Sequence, residues 1–600
     1  MVQFRPVIFS TNRIIELRLP PWNFDEPRGR VSNRTSWFYP PVILFLTCLV
    51  LFLLGLDKID EASDPAYEDT ISYLKVATFL QDHGGLANFW TLFIKGEHKA
   101  VLQHPLYPLL LASFGVEPHE LFAAGKMLSL IVGVAVVATC FLIARNLYGN
   151  LVAYLATLLL AFNVTFLRTV SHVMCESLLT LFVLLSVYWM ITGVEKERHW
   201  PWAGAAAGFA YLTKGTGFLL LPVFTVTAIL GAGFRSLSRR WFWLFFVFFA
   251  LIASPLIVRN LVVYNQPFYE GANSRVPWLD NLEGFYQVGT GWAIKFPEKV
   301  WDEDRFPTMR SYLATHSWGD ILARLRHGVK QETQLLLDSL DLILLPQERY
   351  HGDLVFLFFM LGLALAPTRA QMICIVTTVA AFFVPFSWYY QVVPKEDGAV
   401  RFIAPLVPLV CLYAAVGIVK VLMLVDQGLA ARSLRMSLQA LAPPSLIVLL
   451  LSVTGYALAT QDTHFPGKLP PIPEDHAELH QWLVENMTND DLIMTSHLTP
   501  YWQYLWLAKF HGKWAFWFAD SRAVQQDGIV ELNRLLKDKH VRHRRYILIH
   551  REDVTKIAIL RPYFSWSESQ GLLSDKAIAG WTQVYRHSQH PSSFLIFLVE

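Results

Sequence analysis

Charged residues are scarce in this sequence of 600 residues. Asp, Glu, Lys and Arg together make up 16% of the chain, whereas hydrophobic residues make up 54%. A water-soluble protein needs more charge than this on its surface. The net charge is only +2, and no basic cluster is interleaved with stacking aromatic residues, so we expect no nucleic-acid partner. The composition indicates a membrane protein.

Cysteine is also rare, and the placement of the cysteines argues against a metal site and against a disulfide framework. Each cysteine falls in or beside an apolar stretch, and none shows metal-ligand spacing. The polar C-terminal region contains no cysteine, so we expect no disulfide framework there. We interpret all five as small apolar packing residues: Cys48, Cys140, Cys175, Cys374 and Cys411.

Long apolar runs are what the sequence has in abundance. A helix needs roughly 20 apolar residues to cross a bilayer. We predict eleven spans: 39–56, 121–144, 150–167, 173–194, 201–213, 216–232, 241–262, 353–366, 371–389, 402–425 and 441–460. The predicted fold class is an α-helical polytopic membrane protein with about 11 transmembrane helices.

The basic residues predict the orientation of the spans, because Lys and Arg are enriched on the cytoplasmic side. Segment 1–38 carries six Arg, whereas the loop 57–120 carries only four Lys. We therefore expect 1–38 to be a cytoplasmic N-terminal segment and 39–460 to be a transmembrane domain. Its outer loops would be 57–120 and 264–352, and the second, rich in Trp and charge, would contain helices lying at the membrane interface.

A proline-rich linker around 465–473 separates the spans from a polar C-terminal region. A helical pattern follows at 474–487. Strand-like runs then occur at 491–496, 544–550, 581–587 and 592–599. This alternation predicts a C-terminal extracytoplasmic α/β domain over 461–600.

Several ionisable residues stand near the outer ends of the spans, where the topology rule does not expect them. Such a group at membrane depth costs about 2.5–3.5 kcal/mol on insertion scales and often marks a site. A single Lys or Arg can instead extend to the lipid headgroups. Basic groups together with carboxylates on one side favour one cavity for an anion such as a lipid phosphate. The residues are Asp69, Lys126, Glu176, Lys214, Arg259 and Arg401.

Five motifs at these places resemble the GT-C glycosyltransferases, which include protein O-mannosyltransferases and lipid A aminoarabinose transferases. Asp69, Tyr73 and Ala77 form a D-x-x-x-Y-x-x-x-A pattern, and the loop ends in a sequence similar to H-P-P-L-Y-P, beginning at His104. Residues 208–214 resemble G-L-A-x-L-T-K. The remaining two motifs lie at 254–267 and 401–408. Each match is short, but all five occur in the family's order.

The resemblance implies a GT-C fold and a reaction. The donor would be a polyprenyl-phosphate sugar, and the acceptor would be a hydroxyl of a lipid, a glycan or a protein. Membrane lipids would surround the spans. A single displacement would invert the anomeric centre without a covalent intermediate. Because many bacterial members end in an extracytoplasmic α/β domain, the expected location is a bacterial inner or plasma membrane.

The resemblance also implies roles for individual residues. Asp69 would be the general base, since a carboxylate within reach of the acceptor hydroxyl can accept its proton. Lys214, Arg259 and Arg401 would bind the donor phosphate and stabilise the charge that develops on it. Lys126 stands at a position that is often basic in the family.

Glu176 falls where family members have a second acid. It could bind acceptor or sugar hydroxyls or hold the Asp69 loop, and a structural ion pair with a basic neighbour stays open. Tyr73, His104 and Glu68 are candidates for substrate binding. We expect no cofactor, although a divalent ion held by the acidic loop stays open because some GT-C enzymes use one.

Among the other acids of the first loop, Asp60 and Asp64 are alternatives to Asp69. Only Asp69 has Tyr at +4 and Ala at +8, a spacing that places the three side chains along one face of a helix. A transporter for a lipid-linked saccharide is the alternative function, since it too would bind an anionic headgroup. It should show inverted repeats and broken helices at the bilayer midplane, and the sequence indicates neither.

Overall fold

The computed structural model describes residues 39–59, 68–95, 104–116, 118–269, 276–280, 293–295, 298–300, 307–342, 351–365, 368–389, 399–430, 474–488, 491–496, 513–517, 529–537, 544–556, 560–567, 569–586 and 593–600. Segment 1–38 and the predicted eleventh span, 441–460, lie outside these ranges.

Helices make up most of the described chain before residue 431. They are α1 Tyr39–Ile59, α2 Glu68–Asp82, α3 Gly85–Lys95, α4 Leu106–Ala112, α5 Pro118–Tyr148, α6 Asn150–Ala161, α7 Val164–Val170, α8 Glu176–Glu195, α9 Trp200–Thr213, α10 Leu220–Ala232, α11 Arg240–Tyr264, α12 Met309–Thr315, α13 Trp318–Asp338, α14 His351–Ala364, α15 Arg369–Tyr389 and α16 Val407–Ala430. Short 3₁₀ helices lie at Gly215–Leu219, Ala399–Phe402 and Ala404–Leu406.

The helices confirm the predicted polytopic membrane fold. Within the described ranges, six helical segments are long and apolar enough to cross a bilayer: Glu120–Tyr148, Glu176–Glu195, Gly215–Ala232, Arg240–Tyr264, Arg369–Tyr389 and Ala404–Leu424. Three shorter apolar helices are Pro40–Gly55, Asn150–Ala161 and Gly352–Ala364. The α8 and α16 segments are the most enclosed by protein, so the core lies around them.

The predicted span 150–167 is broken in the structure. Helix α6 ends at Ala161, and Asn163 then caps α7 by accepting a hydrogen bond from the Phe166 amide at 2.8 Å. The Asn163 side-chain amide also donates to the carbonyl of Ser339 at 2.8 Å. Asn favours such caps over helix interiors. The apolar run therefore contains a helix break at a polar residue, which hydropathy does not detect.

Glycine brings α9 and α11 into close contact. A Cβ at Gly204 would collide with the Phe245 carbonyl, and one at Gly208 would press on the Phe249 carbonyl and on Ile252. Two small residues four positions apart allow helix backbones to approach closely in membranes. This contact fixes α9 against α11. We call the end of the bundle where α9 and α11 terminate and α8 begins the site end.

Helix α13 is amphipathic in a way that suits a membrane interface. Trp318 and Leu322 are 78% and 63% exposed, and Val329 is exposed as well. At about 100° per residue these three fall within roughly 40° of one another. The exposed Arg326 and Lys330 come next around the helix. An apolar arc beside a basic arc is typical of helices that lie in the headgroup region.

We expect nitroxide labels at Trp318→Cys and Gln334→Cys to report different surroundings in nanodiscs. Residue 318 is on the apolar arc, and residue 334 is exposed on the polar arc of the same helix. Power saturation should therefore show greater oxygen accessibility at 318 and greater accessibility to a polar nickel chelate at 334. Equal profiles at the two positions would contradict the interfacial placement.

The buried face of α13 carries an acid. Glu332 is 1% exposed, and within the described residues its Oε2 atom has no hydrogen-bond partner. Burial disfavours the ionised form, and this raises the pKa of the carboxyl to about 8. Glu332 is therefore mostly neutral at pH 7 in the folded protein.

We expect Glu332→Gln to stabilise the protein at alkaline pH. The unfolded chain releases this proton near pH 4.5, whereas the folded protein releases it near pH 8. Stability therefore falls as the pH rises between these values, and an amide cannot contribute to the fall. The Tm of the variant should exceed that of wild type by about 2 °C or more at pH 8 and match it near pH 4.5. Asp338→Asn, at an exposed position of the same helix, is the control. A difference in Tm that does not change with pH would contradict the assignment.

The C-terminal region forms a sheet with flanking helices, as predicted. Its elements are α17 Glu474–Asn486, β3 Leu492–Ser496, β4 Lys513–Trp517, α18 Ile529–Lys537, β5 Arg545–His550, α19 Arg551–Lys556, β6 Phe564–Ser567, β7 Gly571–Ser574, β8 Trp581–Arg586 and β9 Phe594–Val599. The helix predicted at 474–487 and the four predicted strands are confirmed. Strands β4 and β6–β7 were not predicted.

The main sheet also includes two strands from the long loop that follows α11. These are β1 Ala293–Lys295 and β2 Glu298–Val300, and the strand order is β2-β1-β4-β3-β5-β9-β8. Strand β3 is parallel to both β4 and β5, whereas β1 is antiparallel to β4. Loop 264–352 and segment 461–600 thus share one sheet, which connects the C-terminal region to the membrane domain through backbone hydrogen bonds.

Candidate active site

A cavity of about 550 Å³ opens at the site end of the bundle. It is bounded by α2, by the segments at the ends of α9 and α15, and by the 3₁₀ helix Ala399–Phe402. Its lining residues are Tyr73, His104, Tyr211, Thr213, Lys214, Gly215, Thr216, Phe218, Leu219, Phe268, Pro277, Pro385, Phe386, Tyr389, Arg401 and Phe402. Four residues predicted from the sequence line it together: Tyr73, His104, Lys214 and Arg401.

Lys214 and Glu176 form an ion pair beside this cavity. Helix α9 ends at Thr213, and Lys214 adopts an extended backbone that turns its side chain out of the helical path. Its Nζ atom lies 2.6 Å from Oε1 of Glu176, the first residue of α8. The Glu176 side chain is 1% exposed. A carboxylate buried to this degree needs a partner, because an unpaired buried charge is strongly destabilising.

A second cation, Arg401, lies on the 3₁₀ helix Ala399–Phe402 and also lines the cavity. The Phe402 ring contacts both cations. Its ring centroid is 4.8 Å from Lys214 Nζ and 5.1 Å from the Arg401 guanidinium. Contact with a ring face stabilises a partly desolvated cation without neutralising its charge. The arrangement presents two positive groups to the same space.

Helix α2 brings the first loop to the cavity. Tyr73 lines it, and the Tyr73 hydroxyl lies 3.0 Å from Cys175 Sγ. The Thr70 hydroxyl donates to the Val173 carbonyl at 3.1 Å. These contacts fix α2 to the turn that leads into Glu176. Asp69 lies on α2 one helical turn before Tyr73, as its spacing predicted. The side chains of Glu68 and Asp69 lie outside the described part of the chain.

His104 completes this side of the cavity. It is buried, and its ring meets the edge of Tyr211 at a centroid distance of 5.2 Å. The following helix, α4, is anchored by the Tyr107 hydroxyl, which lies 2.9 Å from the Ser129 hydroxyl of α5. His104 is therefore held in place by elements on both sides.

The other two predicted cations lie elsewhere. Arg259 is buried near α3, with its guanidinium 5.0 Å from the Phe93 ring centroid. Lys126 is buried on α5, with its Nζ 4.9 Å from the Phe122 ring. Neither is among the described residues that line the cavity. Their assignment to the donor phosphate stays a prediction.

An aromatic wall lines the same cavity as the two cations, and the sequence did not predict it. It is formed by Phe218, Phe268, Phe386, Tyr389 and Phe402. These residues come from four separate segments. A usable signal was present, since 14% of the chain is aromatic and Tyr211 and Phe402 lie inside two of the family-like motifs. Aromatic rings offer apolar faces to a sugar ring or a lipid chain.

The described residues offer no ready metal site. No group of three or more His, Cys, Asp or Glu side chains in these ranges is arranged to hold an ion. The side chains of most acids of the first loop, including those of Asp60 and Asp64, lie outside the described part of the chain. The sequence-based alternative of a divalent ion at that loop is therefore neither supported nor contradicted.

The fold and the cavity define a class: a polytopic helical membrane protein with a cationic pocket at one end and a C-terminal α/β region. Residues 103–258 match the family described as Dolichyl-phosphate-mannose-protein mannosyltransferase. The match begins just before α4 and extends into α11, so it includes His104, Glu176 and Lys214. No curated protein matches the chain by sequence.

Solved structures also resemble this chain, and those with a TM-score above 0.5 show its fold. The archaeal oligosaccharyltransferase AglB from Archaeoglobus fulgidus, in complex with an inhibitory peptide and a dolichol-phosphate, has a TM-score of 0.52 at 13% identity over 90% of this chain and 74% of AglB. The A. fulgidus enzyme tethered to an acceptor peptide with the NVT sequon also scores 0.52, at 13% identity over 90% and 75%. ArnT from Cupriavidus metallidurans bound to undecaprenyl phosphate scores 0.44, at 14% identity over 94% of this chain and 98% of ArnT.

The likeness to AglB shows the fold, and the family match adds the enzyme class. Over residues 103–258 the chain therefore matches a family of membrane glycosyltransferases, and its fold is that of the oligosaccharyltransferase AglB. The resemblance inferred from the five motifs is therefore confirmed. The findings favour an enzyme over the transporter that the sequence left as an alternative.

Proposed function

We propose that this enzyme transfers a sugar from a polyprenyl-phosphate donor to a hydroxyl acceptor. The observation that carries the proposal is the cavity that Lys214 and Arg401 line together with an aromatic wall, beside α2. Two cations suit a phosphate, and the apolar surface suits a lipid chain or a sugar face. AglB, which shares the fold, was solved with a dolichol-phosphate.

In the proposed reaction the acceptor oxygen attacks the anomeric carbon while the bond from that carbon to the phosphate oxygen breaks. The polyprenyl phosphate leaves with the bonding electron pair, and the Asp69 carboxylate takes the acceptor proton. Lys214 and Arg401 stabilise the charge that grows on the leaving phosphate. One displacement inverts the anomeric centre and needs no enzyme nucleophile.

Glu176 has a supporting role in this mechanism. Its ion pair with Lys214 holds the ammonium group at the cavity, and the turn that precedes it holds α2 through Val173 and Cys175. One short segment thus positions both a phosphate-binding cation and the helix that carries the proposed base. This proposal combines two of the roles that the sequence left open for Glu176.

We propose that the site end faces the non-cytoplasmic side. The support is the distribution of Arg and Lys, which places segment 1–38 in the cytoplasm and loop 57–120 outside. Helix α2, which lies in that loop, would then meet acceptors outside the cytoplasm. A bacterial inner or plasma membrane is the location we propose.

The test is to incubate the purified full-length protein in nanodiscs with a panel of polyprenyl-phosphate sugars and mixed hydroxyl acceptors. We expect at least one donor to release polyprenyl phosphate, and the configuration at the anomeric carbon of the product to be inverted. Nuclear magnetic resonance of the product decides the configuration. Retention of configuration would exclude the single displacement. Intact donor throughout the panel would contradict the donor class.

A further inference from the structure

Arg324 of α13 is the centre of a network of hydrogen bonds outside the cavity. We call this network, which joins Arg324 to Pro277, Leu279 and Trp388, the Arg324 knot. The Arg324 side chain donates to three main-chain carbonyls: Nε to Trp388 at 3.2 Å, Nη1 to Leu279 at 2.9 Å and Nη2 to Pro277 at 2.7 Å. Arg324 is only 3% exposed. A buried guanidinium whose three nitrogen atoms all donate in this way fixes the geometry of each segment it contacts, because its donors are coplanar.

Aromatic rings enclose the same guanidinium. It lies 4.3 Å from the Trp388 ring centroid and 5.1 Å from that of Tyr312. Within the described residues no carboxylate pairs with Arg324, so carbonyl dipoles and ring faces compensate its charge. Trp388 adds a further bond, because its indole Nε1 donates to the Pro277 carbonyl at 2.8 Å. Pro277 therefore accepts from two residues of the knot.

The carbonyls that Arg324 binds belong to the cavity wall or adjoin it. Pro277 itself lines the cavity, and Trp388 is next to the lining residue Tyr389 at the end of α15. The last carbonyls of a helix have no partner within it. Arg324 supplies the hydrogen-bond donor that the Trp388 carbonyl lacks within α15. Gly328, one turn further along α13, lies so close to the Ser387 carbonyl that no Cβ would fit. Helix α13 thus contacts the terminus of α15 directly.

We propose that Arg324 is a positioning residue that holds the Pro277 and Tyr389 parts of the cavity wall in their binding arrangement. It does not line the cavity and would act through the backbone that it fixes. The part of this inference that concerns donor affinity rests on the proposed function. The part that concerns the order of the wall rests on the contacts alone.

Two measurements on the full-length protein in nanodiscs separate these parts. The first is hydrogen exchange of peptides covering 276–280 and 385–389, which needs no substrate. The second is the Kd for a polyprenyl phosphate without sugar. The variants are Arg324→Met, Arg324→Lys and Trp388→Phe. Arg326→Gln is the matched control, because Arg326 lies on the same helix and is exposed.

We expect Arg324→Met to speed exchange in both peptides at least tenfold and to raise the Kd about tenfold, with exchange elsewhere unchanged. Trp388→Phe removes one bond to Pro277 and should give a smaller change in the same peptides. Arg324→Lys should restore part of the protection, and Arg326→Gln should behave as wild type. If Arg324→Met is not recovered in folded form, the exchange rates and Kd values of Arg324→Lys and Trp388→Phe test the proposal in its place.

The proposal would be overturned if the Arg324 variants exchanged hydrogen at 276–280 and 385–389 at the same rates as the wild-type protein. Faster exchange spread evenly over the protein would overturn it as well, because that outcome indicates a general structural role. If the wild-type protein binds no polyprenyl phosphate, the proposed function fails, and the exchange measurement still tests the knot.

Discussion

Asp69→Asn should lower the rate of sugar transfer by about 10²–10⁴-fold, the usual contribution of a positioned general base. The amide is similar in size to the carboxylate but cannot accept the acceptor proton at neutral pH. Because the proposed phosphate contacts, Lys214 and Arg401, are unchanged, the Kd for the donor should stay within about threefold of wild type. A loss of rate without a loss of binding is the signature of an interaction made in the transition state.

The measurement is single-turnover release of polyprenyl phosphate, together with donor binding under the same conditions. Glu68→Gln is the matched control, because Glu68 precedes Asp69 on α2 and lacks the Tyr at +4 and the Ala at +8. We expect a change of less than about tenfold for this variant. Wild-type rates in Asp69→Asn, with a large loss in Glu68→Gln, would move the role of base to Glu68 and contradict our assignment.

Short motifs predicted the part of the site that is local in the chain. Lys214 ends the 208–214 motif, and it lines the cavity because the helix stops at Thr213. Tyr73 also lines the cavity, and it was predicted from a spacing that holds only on a helix. In both cases the feature that places the side chain lies within about two helical turns of the residue.

The aromatic wall and the Arg324 knot could not be predicted in this way. The knot joins Pro277, Arg324 and Trp388, which are separated by 47 and 64 residues. Its bonds go mainly to backbone carbonyls, and these leave no trace in side-chain patterns. The break at Asn163 has the same cause. Its partner, the Ser339 carbonyl, lies 176 residues away, so hydropathy alone predicted one continuous span.

The ion pair between Glu176 and Lys214 permits a prediction that separates stability from catalysis. Lys214→Met should destabilise the protein by about 3–5 kcal/mol, because it leaves the buried Glu176 carboxylate without its partner. It should also lower the rate of transfer, since a phosphate-binding cation is lost. Adding Glu176→Gln removes the orphaned charge. The double variant should therefore recover most of the lost Tm.

The rate of sugar transfer should not recover in the double variant, because no positive charge returns to the cavity. Thermal unfolding and single-turnover transfer of the wild type, both single variants and the double variant complete the cycle. The pair Arg239–Glu197 is the control, because the Arg239 side chain is 53% exposed, and the same cycle there should change stability by less than about 1 kcal/mol. If the double variant regained both Tm and transfer, Lys214 would serve only to neutralise Glu176. Arg401 would then be the single cation proposed for the donor phosphate within the described lining of the cavity.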